Sequence, residues 1–490
     1  MDTVETEELM THSDSVIQAL EPVQVWDRFE RRFDGPAEGN PFQEVTFYAE
    51  FCHGNRIVEA EGFYDGDGVY KLRFMPDAEG VWTYVTRSSS PQLDGMQGSF
   101  QAVAAQGDNH GPVVVKDAYR FEFADGTPYL PFGTTLYHWV HHENVAEEEE
   151  TLSELAKASF NKVRMCVLPT GDMHSRQLAF AGSRTEGADV TRFNPAFFAH
   201  FEARIMDLQR LGIEADIILF HPYDQGVWGF EQLEPETEDL YLRYVIARLS
   251  SFRNVWWSLA NEFDFNKYKS MENWDRVCQV VKRFDPYGHL LSIHNGTKMY
   301  DYTRTATYDY SKPWITHQSV QHWDSGLMTE WIATHKKPVV LDECCYEGNA
   351  ARRWGNVPGE ELVSRFWDSM VQGGYAAHGE VVNEKSWISR GGKLYGESPE
   401  RIAFMRSLME EALPDLWNPP EERACFWEYL GINRPASWEL DLPETKEYYI
   451  DVVDTWNMKT ERLDGTYRGS CTIPLPRQSY LALRAVAAGQ

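Results

Sequence analysis

Residues 254–263 read NVWWSLANEF: strand-forming and apolar up to Ala260, then Asn261 and Glu262 where such a strand would emerge from a sheet. A second stretch, PVVLDE at 338–343, ends in Glu343, 81 residues after Glu262. A (β/α)₈ barrel assembles its active site at the C-terminal ends of its strands. Two carboxylates so placed are what glycoside hydrolysis with retention requires, one protonating the leaving oxygen and the other attacking the anomeric carbon.

Working outward from these two stretches, apolar runs alternate with helical ones. Strands are expected at 129–135 (YLPFGTT), 161–168 (NKVRMCVL), 214–220 (EADIILF), 254–260, 290–294 (LLSIH), 314–320 (WITHQSV), 338–343 and 374–382 (GYAAHGEVV). Helices fall between them, as at 147–159 and at 195–212, where Asn194 is a cap, Pro195 the first helical residue and Gly212 the stop. Eight alternations are the count for a closed TIM barrel. The competing doubly wound sheet would carry a glycine-rich nucleotide loop after its first strand, and there is none.

On either side the rhythm changes to short alternating strands with turns. VTFYAEF (45–51), VYKLRF (69–74) and VWTYV (81–85), the last two read as a hairpin across PDAEG, predict an N-terminal β-sandwich. EYYIDVVDTW, GSCTIPL and SYLALRAV predict a smaller sandwich at the C-terminus. The expected division is a tail over 1–22, an Ig-like sandwich over 23–105, a catalytic α/β barrel over 112–420 and a C-terminal sandwich over 424–490.

Composition narrows the partners. A hydrophobic fraction of 42% and a charged fraction of 25% are those of a globular protein. A net charge of −29 repels phosphates, so nucleic acid and anionic membranes are not expected partners. The acidic N-terminus has no basic, apolar leader and no later run reaches membrane-span length, so a cytoplasmic location is expected. Seven cysteines, including the vicinal Cys344 and Cys345, suit a reducing compartment, and without a CxxC pair no metal site is expected of them. The 17 Trp, 24 Tyr and 26 Phe supply core packing and candidate sugar platforms.

At the barrel mouth Glu262 is the expected acid/base, Glu343 the nucleophile and Asn261 a donor to the sugar 2-OH. Arg164 on strand two either holds Glu343 ionised or belongs to an internal salt bridge. His221, ending strand three, and His317, in strand six, would bond a hydroxyl, support a carboxylate or fill the core. Trp387 is a sugar platform or ordinary packing, and His138, His141 and His142 line the pocket or cover its rim. Glu380 on strand eight is a further substrate-binding candidate, and Asp342 a structural strand-end group.

These residues resemble the large clan of retaining (β/α)₈ glycoside hydrolases that includes family 5 and the β-galactosidases, with Arg164, His221 and His317 at its supporting positions. More closely, the sandwich, the barrel opening PYLPFGTTLYHW (128–139) and GGKLYGESPERIAFMRSLMEE (391–411) are similar to the apiosidase-like and endoglucanase-like group. Family 5 often has a Tyr two residues after the strand-six His, touching the nucleophile. Ser319 stands there instead, so that contact falls to another residue such as Tyr346, or is absent. The resemblance implies a retaining β-glycosidase without cofactor, and the expected cytoplasmic location favours small oligosaccharides or glycosides over insoluble polymer, and so exo-action in a pocket partly closed by loops or by a second subunit of a homo-oligomer. Two other classes compete with this reading. A metal-dependent amidohydrolase could use His294 and His317, but HWVHH (138–142) lacks an HxH pair and strand eight has no Asp. A non-catalytic carbohydrate-binding protein would leave both glutamates without a role.

Overall fold

All seven residues of EADIILF are buried, as are all six of VWWSLA. Strands apolar on both faces need helices outside and a packed interior. In a computed structural model, which describes residues 20–173, 175, 177–296, 306–412, 416 and 422–488, they lie in an eight-stranded parallel barrel. Its strands are β1 (Phe132–Thr135), β2 (Lys162–Cys166), β3 (Glu214–Phe220), β4 (Val255–Ala260), β5 (Leu291–Ser292), β6 (Gln318–Gln321), β7 (Val339–Glu343) and β8 (Tyr375–His378). The hydrogen-bonded order is β5-β4-β3-β2-β1-β8-β7-β6, and a parallel bridge between His294 and Ser319 joins the two ends. The (β/α)₈ class is thus as expected.

Two of the differences from the expected strand boundaries bear on the site. Strand β6 begins only at Gln318 and runs on to Gln321, which leaves His317 below it. The run 374–382 is broken at Gly379, where the Tyr346 ring packs so close that a Cβ would lie 2.3 Å from Cδ1. Residues Glu380–Val382 therefore leave the barrel and join a small sheet with Glu347–Gly348 and Lys385–Ser386.

The helix Pro195–Arg210 starts as expected, with the Asn194 side chain accepting from the Ala196 and Phe197 amides. Glu202 on its buried face enters the ion cluster that ties the barrel to the N-terminal sheet. Arg73 donates to Glu202 (2.9 Å) and to the Arg248 carbonyl (2.6 Å), and Arg248 donates to Glu202 (2.6 Å) and Asp65 (2.6 Å). Both guanidiniums also cover the Phe63 ring, at 4.9 and 4.6 Å. Arg73→Ala takes from Glu202 one of its two buried cations and from the Arg248 carbonyl its donor, and is expected to destabilise the protein by about 1.5 to 3 kcal/mol, read as a lower denaturant midpoint.

The N-terminal sheet has seven strands, and its core stacks Phe29 on Phe100 (4.3 Å) and Phe51 on Phe74 (4.0 Å). Val69–Phe74 and Gly80–Ser88 do not pair as the expected hairpin. The first pairs with Phe29–Asp34 and Arg56–Tyr64, the second with Phe47–His53 and Gln97–Val103. Both strands turn their apolar residues to one core, and Phe74 meets Trp82 across it at 4.9 Å, which places them in facing layers. At the other end, a four-stranded antiparallel sheet packs on the barrel through Trp427 and Tyr429 against Trp367, and a two-stranded sheet shares its core through Ile473. The tail up to residue 19, and the expected boundary within 417–421, lie outside the described residues. Among those described, no helix is long and apolar enough to cross a membrane.

Candidate active site

Inward residues of a barrel strand alternate, and each layer lies about 6.6 Å above the last, two residues of rise. On β2 the layers are Lys162, Arg164 and Cys166. Lys162 bridges Asp216 (2.6 Å) and Asp342 (2.8 Å), so the lowest layer is an ion cluster with no exposure. Arg164 sits above it, its Nε 3.4 Å from Asp216, its Nη1 3.8 Å from Glu343, and its Nη2 donating to Asn261 (3.2 Å). The guanidinium therefore belongs both to the internal cluster and to the top layer. The Asn261 amide oxygen is committed to it, which turns the amide NH2 into the donor.

The top layer opens into a cavity of about 700 Å³. Among its lining residues are Tyr137, His138, His221, Asn261, Glu262, Gln321, Glu343, Tyr346 and Trp354. Glu262 follows β4 in the left-handed region (φ 47°), which swings its carboxylate off the strand. Gly296 permits this, since a Cβ there would lie 2.5 Å from the Glu262 Cβ. The Gln321 NH2 donates to Glu262 Oε1 (2.7 Å) and to Glu343 Oε2 (2.8 Å). Two bonds from one nitrogen keep those oxygens within about 5.5 Å of each other, the spacing of retaining enzymes.

The two carboxyls have opposite surroundings. Burial and then the Glu343 charge push Glu262 up to about 8, against the Gln321 hydrogen bond, and its Oε2 has no hydrogen-bond partner among the described residues. Glu343 is buried too, but His294, 3.2 Å from Oε1, the Arg164 charge and a short hydrogen bond from the Tyr137 hydroxyl outweigh burial and hold it below the usual carboxylate range. One group is kept protonated and the other ionised.

Tyr137 thus supplies the contact for which a strand-six tyrosine is absent, and Tyr346 stands behind it, hydroxyl to hydroxyl at 3.1 Å. Replacing Tyr137 by Phe removes one bond to an anion, worth about 10- to 100-fold in kcat/KM. Glu343 becomes easier to protonate, so the acid limb of the pH–rate profile is expected to move up by about one pH unit.

The other expected residues divide. His138 and His221 reach the cavity wall, their rings 6.1 Å apart. His138 is buried and held neutral by that burial and by His141, His221 and Arg390, and its Nε2 has no hydrogen-bond partner among the described residues. His221 is engaged at both nitrogens, with the Leu168 carbonyl (2.9 Å) and the Tyr223 amide (3.2 Å). His141 lies behind the wall, bonded to the Cys166 carbonyl (3.1 Å) and stacked on Phe197. His317 is at the barrel floor against Phe121 and Trp256 (5.8 and 5.3 Å). Trp387 is buried with its indole donating to Thr134 (2.8 Å), so the aromatic surfaces at the cavity, besides Tyr137 and Tyr346, are Tyr223, Phe265 and Trp354. Glu380 accepts from the Tyr395 and Gly396 amides (2.6 and 2.9 Å) in the small sheet, away from the cavity wall.

Two clusters of the described residues bring three metal-binding side chains together: His138, Cys166 and His221, and Glu347, His378 and Glu380. In the first, His221 has both nitrogens engaged. In the second, the Glu347 oxygens are taken by the Glu397 and Ser398 amides (2.7 and 3.0 Å), and the Glu380 oxygens as described. Neither offers three free donors.

A family model described as the apiosidase-like catalytic domain matches residues 116–379. Two domains of unknown function, DUF5060 and DUF5605, match residues 22–89 and 417–486. Among solved structures, a candidate glycoside hydrolase of Bacteroides vulgatus ATCC 8482 is 35% identical, covering 96% of this chain and 100% of that one with a TM-score of 0.88. A family 5 glycoside hydrolase of the same organism shares the fold at 15% identity (78% and 95% covered, TM-score 0.59). A comparison with curated proteins gave no match.

Proposed function

Because the chain belongs to the apiosidase-like family and is a glycoside hydrolase, we propose that it acts as a retaining, exo-acting β-glycosidase on small oligosaccharides or glycosides. The observation that carries this reading is the single Gln321 amide bonded to both Glu262 and Glu343, which supports a spacing too short for a water to stand between them.

In the first step, an ionised Glu343 attacks the anomeric carbon while Glu262 gives its proton to the departing oxygen. In the second, Glu262, now a carboxylate, takes a proton from water, which attacks the same carbon and releases Glu343. Asn261 donates to the sugar 2-OH, where the bond strengthens as positive charge grows at the ring. His138, through Nε2, bonds a further hydroxyl, and Trp354 or Tyr223 supplies the apolar face in the place expected of Trp387. The cavity volume suits a short substrate.

The test is hydrolysis of aryl β-glycosides of galactose, glucose, xylose, arabinose and apiose, with the anomer first formed read by NMR. Release of the β-anomer from one of them supports the proposal. First formation of the α-anomer would assign the enzyme to the inverting class instead, and no release from any of them would remove the assignment to these glycones.

A further inference from the structure

Gln321, the last residue of β6, is buried, and its side-chain amide meets both carboxyls: Nε2 donates to Glu262 Oε1 (2.7 Å) and to Glu343 Oε2 (2.8 Å). An NH2 group has two hydrogens, and each bond takes one. The reverse orientation of the amide would set its carbonyl oxygen against the ionised Glu343. The backbone of this residue is clamped as well. Asn295, buried after β5, accepts from the Gln321 N–H (3.0 Å) and donates to the Gln321 carbonyl (3.3 Å), which holds the residue where the register with β7 slips. The clamp fixes the root of the side chain and the two carboxyls fix its tip.

In the proposed reaction this pair of carboxyls carries one negative charge at every stage. In the resting enzyme the charge lies on Glu343, with Glu262 protonated. Once the leaving oxygen has taken the Glu262 proton and Glu343 has become the glycosyl ester, it lies on Glu262. Water then gives a proton to Glu262, the ester bond breaks and the charge returns to Glu343. We infer that Gln321 is a positioning residue shared by both steps, its one amide fixing the spacing of Glu262 and Glu343 and donating to whichever of them carries the charge. This rests on reading Glu343 as the nucleophile and Glu262 as the acid/base. A donor already bonded to both ends needs no reorientation as the charge passes between them, which is how a fixed dipole lowers a barrier in a buried site. Tyr137, by contrast, serves Glu343 alone. The other groups facing the pair are Arg164 from β2, Asp264 after β4, His294 after β5 and Tyr346 after β7.

The experiment is the pH–rate profile of Gln321→Met, a side chain of similar length without a donor. Both carboxylates lose a hydrogen bond to their charged form, so both become easier to protonate. The expected result is that the acid limb and the alkaline limb both move to higher pH by about one unit. With this, kcat falls about 10- to 100-fold and KM changes little. Tyr137→Phe moves the acid limb alone, and a loss of packing would lower the rate without moving either limb. A second measurement needs no variant and no turnover. In ¹⁵N NMR of the glutamine-labelled wild type, one slowly exchanging side-chain NH2 pair is expected to shift as Glu262 titrates near pH 8. Either limb left in place, or no NH2 pair that follows this titration, overturns the inference. If such a pair is found while Glu343→Gln keeps full activity, the role given to Glu343 fails and the link through Gln321 stands.

Discussion

In the proposed mechanism Glu343→Ala lowers kcat on the order of 10⁴-fold or more, because the covalent intermediate forms on this carboxylate and the residues that serve it act as a unit. His294, Arg164 and Tyr137 all converge on this one carboxylate, and Gln321 links it to Glu262. The substitution also vacates the face from which the sugar is attacked. Azide supplied to the variant with an activated aryl β-glycoside should fill that space and yield the α-configured glycosyl azide, identifiable by NMR. An unchanged kcat, or recovery of the β-azide, would assign the nucleophile elsewhere.

Glu262→Gln is expected to cost about 10²- to 10⁴-fold with a poor leaving group and far less with a good one, since only the former needs its oxygen protonated. The pH profile separates this role from that of Glu343. Glu343 is held below the usual carboxylate range and must be ionised, so activity rises at the acid end as it loses its proton. Glu262 is pushed up to about 8 and must be protonated, so activity falls as the pH rises through about 8. In Glu262→Gln the alkaline limb should vanish and the acid limb remain. Persistence of the alkaline limb would show that another group donates the proton.

Some of the site was legible one residue at a time. Asn261, Glu262 and Glu343 end apolar runs, and a run buried on both faces ends at the C-terminal edge of a parallel sheet, where such folds place their sites. Tyr137 and Gln321 were not legible in this way. Tyr137 lies two residues beyond β1, in a loop whose direction no periodicity fixes, although it stands inside the PYLPFGTTLYHW stretch. Gln321 reaches both carboxylates because the register slips between Val320 and Gln321. His294 was weighed only as a metal ligand, since its contacts with Ser319 and Glu343 come from two other strands.

The residues expected at the cavity but placed elsewhere have two causes. His317, just below β6, has the same parity as Ser319 and Gln321 within it, but each layer is about 6.6 Å from the next, and only Gln321 meets the cavity. Trp387 and Glu380 lie beyond the break at Gly379, after which the chain leaves the barrel.

By itself the sequence determined the (β/α)₈ class and the two carboxylates at strand ends, because burial pattern and strand punctuation are local properties of the chain. Only the tertiary structure decided which polar groups serve those carboxylates. Hydrogen bonds between strands depend on layer height and register around the closed barrel, and these are set by all eight strands together.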